Sequence, residues 1–216
     1  MTYKADDRPF PRTHSEPILI FSRVASIILH PLFMTAIAAI LLYKINPGDR
    51  DFRIWCVQII LFTILFPFLS IFLLRVSGVI SNVTMHRPSD RVVPLIVTLV
   101  FYFVAYEILI SKYNVSPAMK GLLLGSCCAI VLIFLINFFY KVSVHTSAAA
   151  ILLGVCIALT MDGTATNILL FVVAVLLAVI VGVIRWFLGA HAMGQILLGY
   201  LVGIFSQVIT HFIINS

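Results

Sequence analysis

Asn167–Ile184 reads NILLFVVAVLLAVIVGVI, eighteen consecutive residues without a charged side chain. A helix needs about 20 apolar residues to cross the hydrocarbon of a bilayer. Lipid offers no hydrogen-bond partner to the backbone, so such a run must close its own bonds as a helix. Arg185 ends the run, and His191 precedes a second one, Met193–Ile214. Working outward, five further apolar runs stand at Ala25–Tyr43, Ile54–Leu74, Val92–Ile110, Met119–Tyr140 and Val144–Thr160. Period-2 alternation, the mark of a membrane barrel, is absent from them. The expected fold is therefore all-α, a polytopic transmembrane helical bundle of about six or seven spans.

Composition agrees with that reading. Of 216 residues, 62% are hydrophobic and only 10% charged, and mean hydropathy is +1.16. A soluble domain carries about 25% charged residues to wet its surface, so this chain is excluded from that class. Short links with breakers, such as Asn46-Pro47-Gly48, Arg87-Pro88-Ser89 and Val115-Ser116-Pro117, leave no long linker, so residues 1–216 are expected to form one domain. Met1–Glu16 forms a polar tail of mixed charge, without the pattern of a cleaved signal. Cys56, Cys127, Cys128 and Cys156 sit inside apolar runs without metal-ligand spacing and read as small core residues.

The net charge is +6. In a soluble protein that balance would raise nucleic acid as a partner. Here the basic residues are spread between apolar runs, so anionic headgroups or phosphates are the expected acidic partners and no nucleic acid is. Counting seven passes puts Lys4, Arg8, Arg12, Arg23, Arg75, Arg87, Arg91, Lys141 and Arg185 on one face. Lys44, Arg50, Arg53, Lys112 and Lys120 fall on the other. The positive-inside rule then makes the first face cytoplasmic.

Three polar clusters fall on that first face. Ionisable groups at membrane depth are costly, which makes them functional candidates. His86-Arg87-Pro88-Ser89-Asp90-Arg91 sets two arginines four apart, so a helical start presents both forks on one side, suited to phosphate oxygens. A basic loop gripping headgroups is the plainer alternative. Lys141-Val142-Ser143-Val144-His145 offers a cation, a hydroxyl and an imidazole able to move a proton. Arg185-x5-His191-x3-Gln195 puts Gln195 one helical turn beyond His191, in reach of its ring. A steered histidine resembles an activated nucleophile or base. His14, His30 and His211 belong to none of these clusters and read as structural or interfacial.

In this order the clusters resemble the type 2 phosphatidic acid phosphatase (lipid phosphate phosphatase) superfamily. Its signatures run Lys-x6-Arg-Pro, Pro-Ser-Gly-His and Ser-Arg-x5-His-x3-Asp. Arg185, His191 and Gln195 reproduce the spacing of the third. Ser143 and His145 match the second, with Val142 and Val144 in place of Pro and Gly. For the first, alignment on Pro94 sets His86 and Val93 at the Lys and Arg positions, and alignment on Arg87-Pro88 sets Ile80 at the Lys position.

The resemblance implies a phosphatidic acid phosphatase-like domain and a lipid phosphatase that works through a phosphohistidine. His191 would be the nucleophile and His145 the proton donor to the leaving alcohol. Arg185, Ser143, Arg87, Arg91 and Lys141 would hold the phosphoryl oxygens. No metal or other cofactor is implied. The implied substrate is a membrane lipid phosphate such as phosphatidate, a phosphorylated headgroup or a polyprenyl (di)phosphate. The expected location is integral and multi-pass in a bacterial inner (cytoplasmic) membrane. Gln195 departs from the family's Asp, which leaves a weakened or inactive relative, binding phospholipid or serving as a membrane assembly subunit, as the alternative. Restoring a carboxylate by Gln195→Asp is expected to raise activity. An unrelated transporter is a third reading, disfavoured by the lack of an internal repeat and by few acidic residues in the spans, chiefly Glu107.

Overall fold

The computed structural model describes residues 16–45, 52–80, 89–161, 163 and 167–216. The described chain is helical throughout: α1 (Glu16–Ile28), α2 (Pro31–Ile45), α3 (Phe52–Ile60), α4 (Phe66–Val76), α5 (Ser89–Lys112), α6 (Pro117–Ile136), α7 (Val144–Met161), α8 (Ile168–Phe187) and α9 (Met193–Asn215). Among the described residues, six stretches are long and apolar enough to span a membrane: Ile54–Val76, Asp90–Lys112, Pro117–Ile136, Val144–Met161, Ile168–Phe187 and Met193–Asn215. The bent pair α1–α2 makes a seventh if it counts as one span. The architecture is an all-α polytopic bundle.

Local chemistry explains where the helices stop and bend. Ser116 caps α6, its hydroxyl accepting from Met119 N, and Pro117 sits at the first turn. Asn167 caps α8 by accepting from Leu169 N at 2.9 Å. Between α3 and α4 the chain widens into a π turn, Leu61–Leu65, closed by Phe66 N–H to Leu61 O. Pro67 cannot donate to Thr63 O, and its ring crowds that carbonyl; one wider turn relieves both. The first apolar run of the sequence is likewise not a straight helix. Pro31 has no N–H and disfavours helical backbone at His30, so α1 and α2 part by 60° there.

The bundle is apolar outside and holds polar groups inside. Phe21, Phe72, Phe139 and Ile168 are among the large side chains turned outward, as lipid-facing residues are. Thr35, Thr63, Ser126, Ser206, Gln207 and Thr210 are buried. Each pairs with backbone or a neighbour; Thr35 Oγ1 meets Ser126 Oγ at 3.4 Å, and Gln207 Nε2 donates to Leu122 O at 3.4 Å. A buried polar group costs free energy unless it is so paired.

Helix α9 lies along α7 and α6, and α7 is the most enclosed span. Gly199 and Gly203 form the seam with α7, since a Cβ on Gly203 would collide with Ser147 O and come within 2.9 Å of Ala150 Cβ. Gly203→Ala is therefore expected to force α7 and α9 apart, costing about 1–3 kcal/mol. Gly121→Ala meets only Ile214 Cδ1 at 3.8 Å and serves as the control. Thermal melting of the two variants in detergent, with only the first lowered, is the check.

Candidate functional site

Antiparallel passes bring the start of α5, the end of α6, the start of α7, the end of α8 and the start of α9 to one end of the bundle. The loops there are stitched together directly. Ser143 N donates to Gln195 O at 3.2 Å, and Thr146 Oγ1 donates to Ile196 O at 3.1 Å. The close approach of Gly199 to Ser143 O and Ser147 N allows this contact between α7 and α9. The α8–α9 turn relies on Gly189, whose φ of 59° lies in the left-handed region that favours glycine.

His191 stands just before α9 and is 3% exposed. Its Nδ1 lies 2.9 Å from Gln195 Oε1. The same oxygen accepts from Ala192 N at 3.3 Å, so Gln195 caps the helix it belongs to. That second bond settles the amide's orientation, because a flipped amide would point NH2 at a backbone N–H. With Oε1 facing the ring, His191 Nδ1 must carry the proton. Its Nε2 is then left with a lone pair.

Three cations lie within electrostatic reach of this imidazole. Burial pushes the pKa of His191 down to about 3. The charges of Arg185, Arg91 and Lys141 act in the same direction, against the opposing bond from Gln195. Lys141 is itself lowered from the ordinary lysine value, by burial first and then by Arg91 and Arg185. Arg91 Nη1 donates to Val142 O at 3.0 Å. Lys141 Nζ reaches Ala190 O at 3.5 Å, and Arg185 Nη1 donates to Ser26 Oγ at 3.0 Å. Neither Lys141 nor Arg185 meets a carboxylate among the described residues, and Arg185 Nε is buried without a partner. Cations so crowded repel each other, and an anion placed among them would relieve that repulsion.

The helix starts reinforce this field. Ser143 is fully buried and caps α7, its hydroxyl oxygen accepting from Thr146 N at 3.4 Å. Its O–H remains able to donate. His145 follows in the first turn of α7, beside the Ser26 backbone and within electrostatic reach of Arg185 and His191. Helix N-termini carry partial positive charge and unpaired N–H groups suited to anions.

Of the residues singled out from the sequence, His191, Gln195, His145, Ser143, Lys141, Arg91 and Arg185 therefore stand together at this end. Arg87 and His86 lie outside the described residues. Two contributors lay outside the sequence clusters: Ser26, which carries no motif, and His30, whose reading as a structural or interfacial residue apart from the clusters is corrected by its contact with His145. Ser26 holds Arg185 from α1, and the ring of His30 packs against His145, with centroids 5.4 Å apart. A hint of Ser26 exists in sequence, since Ser22 and Ser26 stand four apart and so share a face of α1, and both are buried. Nothing local to His30 signals its neighbour on α7.

The depressed pKa of His191 has a consequence for stability. The folded state resists protonation that the unfolded chain accepts near 6.5. Stability contributed by the neutral ring is thus full above 6.5 and is lost as pH falls from there towards about 3. Melting temperature in detergent is expected to fall on acidification below about pH 6, and less steeply in His191→Asn, which cannot titrate. Equal slopes would show that the ring is already charged in the folded state.

Compared with protein families, curated proteins and solved structures, the chain matches none of them.

Proposed function

We propose that this chain is a membrane phosphatase that hydrolyses a lipid phosphate through a phosphohistidine. The observation that carries the reading is His191, a neutral imidazole with its Nδ1–H held by Gln195, its Nε2 lone pair unengaged, and three cations around it. A nucleophile must keep its lone pair, and a phosphoryl group needs fixed positive charge. The resemblance of the third sequence cluster to the lipid phosphate phosphatases supports the same reading.

His191 Nε2 attacks phosphorus, and the bond from phosphorus to the alcohol oxygen breaks. His145, entering as the imidazolium, gives a proton to that departing oxygen and is left neutral. Water, deprotonated by the same His145, then attacks the phosphohistidine and releases inorganic phosphate, restoring both rings. Charge spreads over the equatorial oxygens during each transfer. Arg185, Arg91 and Lys141 stabilise it, and the Ser143 hydroxyl donates to it. Arg185 Nε, buried and unpartnered, is a donor already desolvated for the purpose. The site lies at the end of an apolar bundle, which suits an amphiphile whose phosphate sits at the membrane surface, such as phosphatidate or a polyprenyl (di)phosphate.

Release of inorganic phosphate from these lipids in mixed micelles, wild type against His191→Ala, tests the proposal. No release from any of them by the wild type would sink it. Gln195 favours a second reading, because a neutral amide stabilises a charged imidazole less than a carboxylate does. On that reading the chain binds lipid phosphate without turning it over, and binding would persist with no phosphate released.

A further inference from the structure

We propose that His30, at the bend between α1 and α2, is a positioning residue for His145. The proposal rests on the reading of His145 as the proton donor. Its foundation is geometric. His30 Nδ1 accepts a hydrogen bond from Leu32 N at 3.3 Å, so the side chain caps α2. A nitrogen that accepts cannot also carry a proton, which places the ring's single proton on Nε2 and keeps the ring neutral. The capped ring is thereby fixed in direction. It meets the His145 ring at 78°, centroids 5.4 Å apart, in an edge arrangement. Edge contacts of this kind have directional preference and hold one ring against the other.

His145 is enclosed from more than one direction. The backbone of Ser26 on α1 lies beside it, and Ser26 also holds the guanidinium of Arg185. Arg185 stands within electrostatic reach of both His30 and His145. The bend thus supplies Ser26 for the cation and His30 for the acid. Pro31 makes the bend, and the bend brings both residues to the end of the bundle where α7, α8 and α9 meet. Beyond the bend, α1 packs against α8. A general acid must point at the leaving oxygen, and an error of about 1 Å in such placement costs up to about 10²-fold in rate.

Two substitutions separate the cap from the ring. Asparagine is a good helix cap, so His30→Asn keeps α2 capped and removes the ring. His30→Phe keeps a flat ring against His145 and loses the cap. The full chain in detergent is assayed for phosphate release from phosphatidate, and His145 is probed with diethyl pyrocarbonate, its modification read by mass spectrometry. In His30→Asn, melting is expected to match wild type while kcat falls about tenfold or more with KM unchanged. Its pH–rate profile is expected to shift, and His145 to be modified faster than in wild type. His30→Phe is expected to keep the slow modification of His145. Wild-type kcat and wild-type modification of His145 in His30→Asn would overturn the proposal. If the wild type releases no phosphate, the phosphatase reading fails, and the His145 modification rates still decide whether His30 positions it.

Discussion

Replacing His191 with alanine is expected to remove phosphate release almost entirely, by about 10⁴- to 10⁶-fold in kcat, the scale seen when a covalent nucleophile is deleted. The loss follows from the chemistry. Without Nε2 no phosphoenzyme forms, and water alone must attack a phosphate held among cations. Arg185, Arg91 and Lys141 are untouched by the change, so the affinity for phosphatidate is expected to stay within a few fold of wild type. The two measurements together are diagnostic. Loss of turnover with retained binding marks a nucleophile, whereas parallel loss of both marks a collapsed site. Trapping an acid-labile, base-stable phosphoenzyme in the wild type, and its disappearance in His191→Ala, is the most direct check. Residual turnover within about tenfold of wild type would mean that another group performs the attack.

Gln195→Glu is expected to act in the opposite direction, raising kcat by about 10²-fold or more. Replacing the carboxylate of a histidine partner with an amide costs about 10⁴ in a serine-protease triad, and the reverse change here recovers part of such a loss. Gln195 already supplies half of what a carboxylate would. Its Oε1 fixes the proton on Nδ1 and leaves Nε2 to attack. What the amide lacks is charge, and the imidazole becomes cationic as it takes the phosphoryl group. Glutamate keeps the length of the side chain, so the bond to Ala192 N survives, as in a capping box. Aspartate, the residue that the family resemblance implies, is one methylene shorter and leaves that N–H unserved. The new carboxylate would face Arg185, Arg91 and Lys141, which offset its burial. It would also raise the pKa of His191 from about 3. A fall in kcat would show that the neutral amide is itself suited to this site.

The spans were legible because their cause is local. A run such as Asn167–Ile184 must cross as a helix whatever surrounds it, since the bilayer provides no other partner for its backbone. The breaks were less legible. The first apolar run parts at His30-Pro31, and the second carries a π turn before Pro67. Prolines mark both places in the sequence, but whether a proline kinks, widens or ends a helix depends on what packs against it.

The candidate site divides in the same way. His191 and Gln195 are one helical turn apart, so their contact follows from 3.6 residues per turn. That Gln195 also binds Ala192 N, and so cannot flip, required the actual backbone of the α8–α9 turn. Arg91 spends a donor on Val142 O, 51 residues away, and Arg185 one on Ser26, 159 residues away. Distances of that kind carry no periodic signal. By itself, the sequence determined that this is a multi-pass helical membrane protein with polar clusters at its helix ends, because hydrophobicity and helical spacing act within a few residues. Only the tertiary structure decided that His30 and Ser26 join the cluster, that the Gln195 amide points one way, and that three cations share one imidazole. Those facts depend on which helix ends meet, and packing alone settles that.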